Sequence, residues 1–285
     1  MATKKAASSK KAVAEKPAAP KKQPTTKVTT VKAVEARPVY KAATATSNTG
    51  LFGRLNNAPV IAALIAEFIG TFILATAIVG TAQNGPSAIT ALFALAAIVM
   101  TVGTLSGAHV NPALTVAAWV SRRMGALRAI GYIVAQILGA ILALVLLNAY
   151  VHATGSTESA SMMQPQLFKA PDIAAGKEWY VFGSELIGTL IFGFAFASVT
   201  RAFTQRTTAG FTAGLAYFTA LLIAGSLASM VGATAILNPA IAITMQAFSH
   251  GNAWPVAIYA LGSILGAVIG FLLYDFLRSA EGKRA

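Results

Sequence analysis

Six long apolar segments constrain this chain more than any other feature. They run over about 60–79, 88–105, 127–150, 179–199, 209–231 and 255–277. Each comes close to the ~20 residues that an α-helix needs to cross ~30 Å of hydrocarbon. Because lipid offers no hydrogen-bond partners to backbone N–H and C=O groups, such segments cross as helices. The sequence therefore predicts an all-α membrane protein with six transmembrane helices.

Composition agrees with this prediction and argues against catalysis. The 285 residues are 56% hydrophobic and 11% charged, whereas a soluble domain carries about 25% charged residues. There is no cysteine, and the three histidines, His109, His152 and His250, lie far apart in the sequence. We therefore expect no metal site and no cofactor. Since no nucleophile–base pair or glycine-rich phosphate loop occurs either, we expect no enzyme activity.

An Asn-Pro-Ala triplet occurs twice, 127 residues apart, as Asn111, Pro112 and Ala113 and as Asn238, Pro239 and Ala240. Proline suits the first turn of a helix, where its missing N–H costs nothing. Asparagine is a favoured residue at the N-cap. Each triplet is therefore predicted to begin a helix, although either one alone would also fit an ordinary capped helix or a turn.

The helices that begin at the triplets are too short to cross a membrane. The two apolar stretches cover about 111–120 and 238–247 and are flanked by the long segments. Short apolar segments in this setting are typical of re-entrant half-helices, whose irregular backbone is tolerated where protein surrounds it. The chain is thus predicted to have six spans and two half-helices.

The chain also repeats itself. The sequence Glu-Phe-Ile-Gly-Thr at 67–71 in the first span resembles Glu-Leu-Ile-Gly-Thr at 185–189 in the fourth, and each is followed by another span and then a triplet. Because each half, 58–150 and 179–278, holds three spans, the second half is inverted relative to the first. Inverted repeats with broken helices place a solute pathway between the halves, near the midplane.

Two half-helices that enter from opposite faces would meet near the middle of the bilayer. Their N-termini carry partial positive charge and unpaired backbone N–H groups, and Asn111 and Asn238 would add amide donors. Backbone carbonyls of residues 107–110 and 233–237 would line the approaches as acceptors. Such a waist suits a neutral solute with lone pairs and repels cations.

Two acids lie inside predicted spans, at Glu67 and Glu185. An acid at the centre of a bilayer costs roughly 3 kcal/mol or more unless it is satisfied. Acids of this kind can mark proton relays, but their matching positions favour a structural role as acceptors for the backbone of the re-entrant loops. His109 is either a hydrogen-bonding residue of the pore vestibule or a brace for its own loop.

The distribution of basic residues predicts the orientation. Arginine and lysine occur in the N-terminal segment, in the loops over 121–128 and 200–208 and at the C-terminus, whereas the loops over 80–87 and 232–254 have none. With six spans, every basic segment falls on one side, which the positive-inside rule assigns to the cytoplasm. We expect a multi-pass protein of the plasma membrane with both termini in the cytoplasm.

The ends of the chain are predicted to be cytoplasmic tails. Residues 1–59 hold 12 Lys and Arg against two Glu and show no sustained apolar period. We expect 1–57 to be a disordered basic tail, residues 58–278 the membrane domain, and 279–285 a short C-terminal tail. The basic tail fits attraction to anionic lipid headgroups, with nucleic-acid binding a weaker alternative and a purely solvated tail that enforces topology the simplest reading.

The sequence resembles the aquaporin (major intrinsic protein) family over about residues 58–278. The resemblance rests on SGAHVNPALT at 106–115, the second Asn-Pro-Ala, the paired Glu-x-x-Gly-Thr, AQILGA at 135–140 and YDFL at 274–277. It implies a right-handed bundle of six helices and two half-helices. It also implies a homotetramer with one pore per subunit and passive flow of water or small uncharged solutes.

One position departs from the family pattern. The family usually has an arginine directly after the second triplet, as a wall of its selectivity filter, and here that residue is Ile241. The other three filter positions, counted without gaps from the two asparagines, fall on Ala91, Ser226 and Ala235. The resemblance therefore implies an outer constriction that is wide and apolar, open to glycerol- or urea-like solutes as well as water.

Two other functions remain open at the level of sequence. A proton-coupled secondary transporter would use Glu67 or Glu185 as its proton site. A membrane-organising protein would keep a closed pore and recruit partners through its basic tail. The passive channel is the favoured interpretation, with water or a small neutral solute and membrane lipids as partners and no nucleic acid.

Overall fold

The computed structural model of the chain describes residues 58–82, 87–154, 167–201, 205–248 and 253–281. The basic N-terminal segment, His250 and the last four residues lie outside the described residues, so the expectations about them stay predictions. No strand occurs in any of the five described ranges.

The described ranges form helices in the predicted order. In chain order these are α1 (Ala58–Gly80), α2 (Ala88–Ser106), α3 (Pro112–Val120), α4 (Ala126–Thr154), α5 (Glu178–Arg201), α6 (Arg206–Ser229), α7 (Pro239–Thr244), α8 (Trp254–Val256) and α9 (Ser263–Glu281), with a π-helical segment, Ala257–Gly262, joining α8 to α9. Six helical stretches among them are long and apolar enough to cross a membrane. The six predicted spans are confirmed, and the last helix extends three residues into the segment expected to be a tail.

The outer faces of the spans are apolar, as contact with lipid requires. In α1, Ile61, Ile65 and Ile69 are each more than two-fifths exposed and follow one another at four-residue spacing. Residues four apart share one face of a helix, so these side chains form a stripe that faces outward. The opposite face carries Ala63 and Glu67, both completely buried. The apolar surface is therefore directed to hydrocarbon, and the polar groups to the protein interior.

The helices pack as two similar halves. In the first half α1 packs against α2 and α4, and in the second α5 packs against α6 and α9, while α2 and α6 join the halves. The half-helices are exchanged: α3 packs against α9 of the other half, and α7 packs against α4. This exchange brings the two Asn-Pro-Ala triplets to the centre of the bundle.

Glycine allows close contact between α1 and α4 and between α5 and α9. A Cβ atom on Gly139 would lie 3.1 Å from the backbone nitrogen of Phe72, and one on Gly270 would lie 2.6 Å from that of Phe194. Even alanine would force these helix pairs apart. The small residues noted in the sequence therefore serve helix packing.

Candidate functional site

The two half-helices begin at the triplets, and both are capped by asparagine. Asn111 Oδ1 accepts a hydrogen bond of 2.8 Å from the backbone N–H of Ala113, and Asn238 Oδ1 accepts one of 3.0 Å from Ala240. A proline occupies the first helical position in each case. The N-cap assignment predicted from the sequence is confirmed at both sites.

The two asparagines also join the half-helices to each other. Asn111 Nδ2 donates to the carbonyl oxygen of Leu237 at 2.9 Å, and Asn238 Nδ2 donates to that of Val110 at 3.0 Å. All four residues are at most 1% exposed. The structure therefore brings the two triplets together in a buried, reciprocal arrangement, in which each amide retains a second N–H.

The residue before each asparagine has a left-handed backbone. Val110 has φ 41° and Leu237 has φ 59°, a region that costs about 1–3 kcal/mol for residues other than glycine and is rarest for a β-branched side chain. The same conformation at equivalent positions of both repeats shows that it belongs to the site. It directs the two carbonyl groups toward the opposite asparagine.

Glu67 holds the first re-entrant loop. Its Oε1 accepts a hydrogen bond of 2.9 Å from the backbone N–H of His109, and its Oε2 accepts bonds of 2.7 Å from that of Val110 and 2.8 Å from Gln136 Nε2. Gln136 Nε2 also donates to Thr115 Oγ1 at 3.0 Å. The completely buried carboxylate thus replaces the partners that the irregular backbone would otherwise lack.

Glu185 does the same for the second loop. Its Oε1 accepts from the backbone N–H of Ile236 at 2.6 Å, and its Oε2 accepts from that of Leu237 at 2.9 Å and from Ser263 Oγ at 2.6 Å. The hydrogen bonds that both acids were expected to accept from the backbone of the re-entrant loops are therefore present. Glu67 and Glu185 therefore make equivalent hydrogen bonds at equivalent positions of the inverted repeat.

The structure adds polar side chains that the sequence analysis did not assign. Tyr217 donates to the carbonyl oxygen of Ile236 at 3.1 Å and Tyr259 to that of Thr234 at 3.3 Å, so two tyrosines hold the second loop. Gln136, Ser263 and both tyrosines lie within apolar spans. Their polarity at such positions was the signal by which sequence reasoning could have found them.

His109 lies against the start of the first half-helix and is 7% exposed. Its Nδ1 is 3.2 Å from Thr115 Oγ1, and its ring meets those of Tyr132 and Phe196 edge to face. Burial and then the positive charges of Arg128 and Arg123 lower the pKa of His109 to about 4. The ring is therefore neutral near pH 7. These contacts brace the loop, and a small exposed fraction of the residue faces the adjoining cavity.

Three of the four filter positions expected from the family pattern are buried. Ala91 is 0%, Ala235 2% and Ile241 1% exposed. Small side chains at these positions do not leave a broad opening, because other protein atoms cover them almost completely. The three side chains are apolar and buried, and the expected width of the constriction stays a prediction.

The structure does not group Ser226 with the other three filter positions. Ser226 is exposed, whereas Ala224 and Ala228 on the same helix are buried. Two residues correspond to a rotation of about 200° around a helix, so Ser226 lies on the face opposite the buried one. The count from Asn238 ignored the orientation of α6. One residue earlier, Gly225 borders the buried face, and a Cβ there would meet no atom within 4 Å.

A basic cavity opens at one mouth of the bundle. Its volume is about 480 Å³, and its lining includes Ser106, Gly107, His109, Arg122, Arg123, Met124, Arg128, Tyr132, Thr200 and Arg278. We call this cavity the basic vestibule. It leads to the loop that precedes Asn111 and lies at the end of the bundle that carries the basic loops. From the sequence, these arginines predict only the orientation of the chain, because their convergence on one cavity depends on helix packing.

Comparison with known proteins places this architecture in a family. The sequence profile described as Major intrinsic protein matches residues 54–274, which is most of the chain and includes both triplets. The chain belongs to the major intrinsic protein family. Members of this family are channels, and this major intrinsic protein is a passive transmembrane channel for water or small solutes.

Relatives of this major intrinsic protein include a glycerol facilitator-like protein and an aquaporin. Glycerol uptake facilitator protein-like 6 of Lactiplantibacillus plantarum is 35% identical over 212 residues, covering 72% of this chain and 93% of the relative. Aquaporin AqpM of Methanothermobacter thermautotrophicus is 30% identical over 247 residues, covering 75% and 96%. The aquaglyceroporin of Plasmodium falciparum superposes with a TM-score of 0.60 at 19% identity, covering 79% of this chain and 100% of the other. The last comparison supports the fold.

Proposed function

We propose that this channel conducts small uncharged polar solutes of the glycerol or urea type together with water. The observation that carries the proposal is Ile241, which puts an aliphatic side chain where the family usually has arginine. Without that guanidinium, the constriction has neither a fixed donor for a passing solute nor a charge that narrows it. The resemblance to glycerol facilitators supports the same solute class.

The central waist is proposed to pass solutes by hydrogen bonding. Asn111 and Asn238 each use one amide N–H to bind the opposite loop, and the second N–H of each is offered to the solute. The half-helix N-termini add partial positive charge at the same place. A neutral solute with lone pairs exchanges its water shell for these donors, whereas a cation meets only positive potential.

The outer constriction is proposed to be formed by Ala91, Ala235 and Ile241, with Gly225 rather than Ser226 as its fourth member. The first three are small or aliphatic and buried, and Gly225 leaves open space beside its backbone. A lining without charge or fixed donors discriminates by size and by the cost of shedding water. Amphipathic solutes such as glycerol are favoured over ions at such a constriction.

Glu67 and Glu185 are proposed to be structural and not proton carriers. Each of their four carboxylate oxygens already accepts at least one hydrogen bond from within the protein. Protonating Glu67 would replace an acceptor by a donor that faces the N–H groups of His109, Val110 and Gln136. This geometry supports passive flow over the alternative of a proton-coupled transporter.

The cellular location, the orientation and the oligomeric state of the channel are proposed from the sequence. A plasma-membrane location with cytoplasmic termini follows from the basic loops, and a homotetramer follows from the family resemblance.

The basic tail is proposed to bind anionic headgroups. Deleting residues 2–50 should leave flux per channel unchanged and weaken binding to anionic vesicles. Loss of flux in folded, tail-less protein would show instead that the tail supports the pore.

Stopped-flow light scattering on proteoliposomes tests the function directly. Purified protein should accelerate the response to water, glycerol and urea gradients relative to empty vesicles. An imposed pH gradient should not drive solute accumulation, because the flux is downhill. Water flux without glycerol or urea flux would contradict the proposed solute class. Accumulation that follows the pH gradient would establish the transporter.

A further inference from the structure

The positive charge of the membrane domain is concentrated at one end of the pathway. No lysine or arginine occurs over residues 207–277, so the second re-entrant loop and the parts of α6 and α9 within that range contain none. The basic vestibule at the opposite mouth contains Arg122, Arg123, Arg128 and Arg278. The charge that the family usually places at the outer constriction is absent there, and a larger charge lies at the other mouth.

The arginines of the basic vestibule are only partly neutralised. Arg123 Nη2 pairs with Asp275 Oδ1 at 2.7 Å, and across the described ranges this is the one carboxylate within 4 Å of an arginine. Among the described residues, four guanidinium groups and this one paired carboxylate give a formal charge of +3. The neighbouring His109 adds none near neutral pH.

Two of these arginines are fixed in position. Arg123 Nη1 donates to the carbonyl oxygen of Ala197 at 2.8 Å and to Thr200 Oγ1 at 2.6 Å. Arg128 Nε donates to Tyr132 Oη at 3.1 Å, and Tyr132 in turn donates to the carbonyl oxygen of Ser106 at 2.8 Å. The charge of Arg123 is therefore held against the C-terminal end of α5, and that of Arg128 is linked to the backbone just before the first re-entrant loop. A solute that enters from this end passes beside it.

We propose that the basic vestibule is a second selectivity element of the channel, which excludes cations at this mouth in place of the missing outer arginine. The inference rests on the proposed function, because a pore for neutral solutes needs a barrier to ions. One unit charge at about 10 Å in water lowers the local population of a monovalent cation about twofold. Several such charges in a recessed cavity act together on every entering ion.

The potential of the basic vestibule is measurable without any flux. The chain has no cysteine, so Met124→Cys places the sole thiol in the vestibule lining. Its rates of reaction with a cationic and an anionic methanethiosulfonate reagent of similar size are compared at 10 mM salt. Any change in the reactivity of the thiol itself affects both reagents and cancels in the ratio. We expect the anion-to-cation rate ratio to be higher than at a reference thiol introduced as Gln205→Cys, on an exposed loop.

Arg122 and Arg278 are the charges to remove, because both are exposed. Adding Arg122→Gln and Arg278→Gln to the Met124→Cys chain should lower the anion-to-cation rate ratio by about five- to tenfold at 10 mM salt, and by less at 500 mM as the Debye length shortens. Arg206→Gln removes an exposed charge outside the vestibule and should leave the ratio unchanged. An unchanged ratio in the double variant would overturn the proposal.

Ion flux then tests the consequence for selectivity. With the native Met124, potassium flux is divided by water flux measured on the same proteoliposomes. We expect the quotient to rise about threefold at 10 mM salt in Arg122→Gln/Arg278→Gln, to stay unchanged in Arg206→Gln, and to return to the original value with lysine at both positions. If the natural protein conducts no neutral solute, the proposed function fails while the thiol ratios still decide whether the vestibule selects by charge. Equal quotients in all variants would refute its role in exclusion.

Discussion

Asn111 donates its side-chain N–H to the carbonyl oxygen of Leu237, 126 residues further along the chain, at 2.9 Å. Asn238 returns the same bond to Val110. The two bonds tie the N-terminus of each half-helix to the loop of the other. Each asparagine therefore serves its own helix through the cap and the opposite loop through one N–H, and the second N–H is the one proposed to bind the solute.

This division of roles predicts different outcomes for two substitutions of Asn111. Asn111→Ala removes the cap and leaves a buried carbonyl without its donor, which together should cost about 2–4 kcal/mol. Asn111→Ser restores a capping oxygen but is too short to replace the donor to Leu237. Thermal unfolding in detergent should rank Tm as Asn, then Ser, then Ala. Equal Tm for serine and alanine would show that the cap contributes little.

The buried acids should be needed for folding. Glu67→Ala leaves the backbone N–H groups of His109 and Val110 and the amide of Gln136 without their acceptor, which should lower stability by about 3 kcal/mol or more. Glu185→Ala should behave alike, because it has the equivalent contacts. Asp172→Asn, which removes an exposed acid, is the matched control. If Glu67→Ala kept the original Tm, the carboxylate would not be the support that its contacts indicate.

Changes at Ile241 should alter selectivity in opposite directions. Ile241→Arg introduces a long, charged side chain into the apolar constriction and should reduce glycerol and urea flux more than water flux. Ile241→Val removes one methylene at a cost of about 0.5–1.5 kcal/mol and should increase glycerol flux. The valine variant keeps the test valid even where the buried arginine impairs folding. A glycerol-to-water ratio unchanged in both would remove Ile241 from the constriction.

The neutral His109 predicts a flat pH dependence of flux. An ordinary histidine gains its positive charge below about pH 6.5. His109 gains it only near pH 4, because it is buried and lies near the positive charges of Arg128 and Arg123. The titratable Tyr132 also faces its ring. The charge of His109 should therefore not change between pH 8 and pH 5, and His109 should add no pH dependence to the flux in that range. Because the unfolded chain binds the proton first, stability should fall as the pH drops from about 6.5 to 4. His109→Gln should abolish that part of the fall in Tm.

The fold and the centre of the site were predictable because their signals are local or repeated. Chain length and hydropathy predicted the spans, and the proline and asparagine of each triplet predicted the two capped half-helices. The equivalence of Glu67 and Glu185 followed from the repeat. Each of these features can be found from the spacing of residues along the chain, without knowledge of how the helices pack.

Other features depend on rotation and convergence, which spacing does not encode. Counting placed Ser226 in the constriction, but the rotation of α6 turns it to the outer face. Arg122 and Arg278 lie far apart in sequence. They line the same cavity only because α9 packs against α3 and α5. The left-handed backbone conformation of Val110 could not be predicted from spacing either, because it depends on the carboxylate of Glu67 on another helix.

The exchange of half-helices bears on how the protein is made. The first half-helix, α3, packs against α9, which leaves the ribosome after the other five described spans. Until α9 is inserted, α3 has no partner on that side, and Asn111 has no Leu237 to bind. The complete pathway can therefore assemble only after α9 has been synthesised, and we expect a truncated product that lacks α9 to insert five spans without forming a conducting pore.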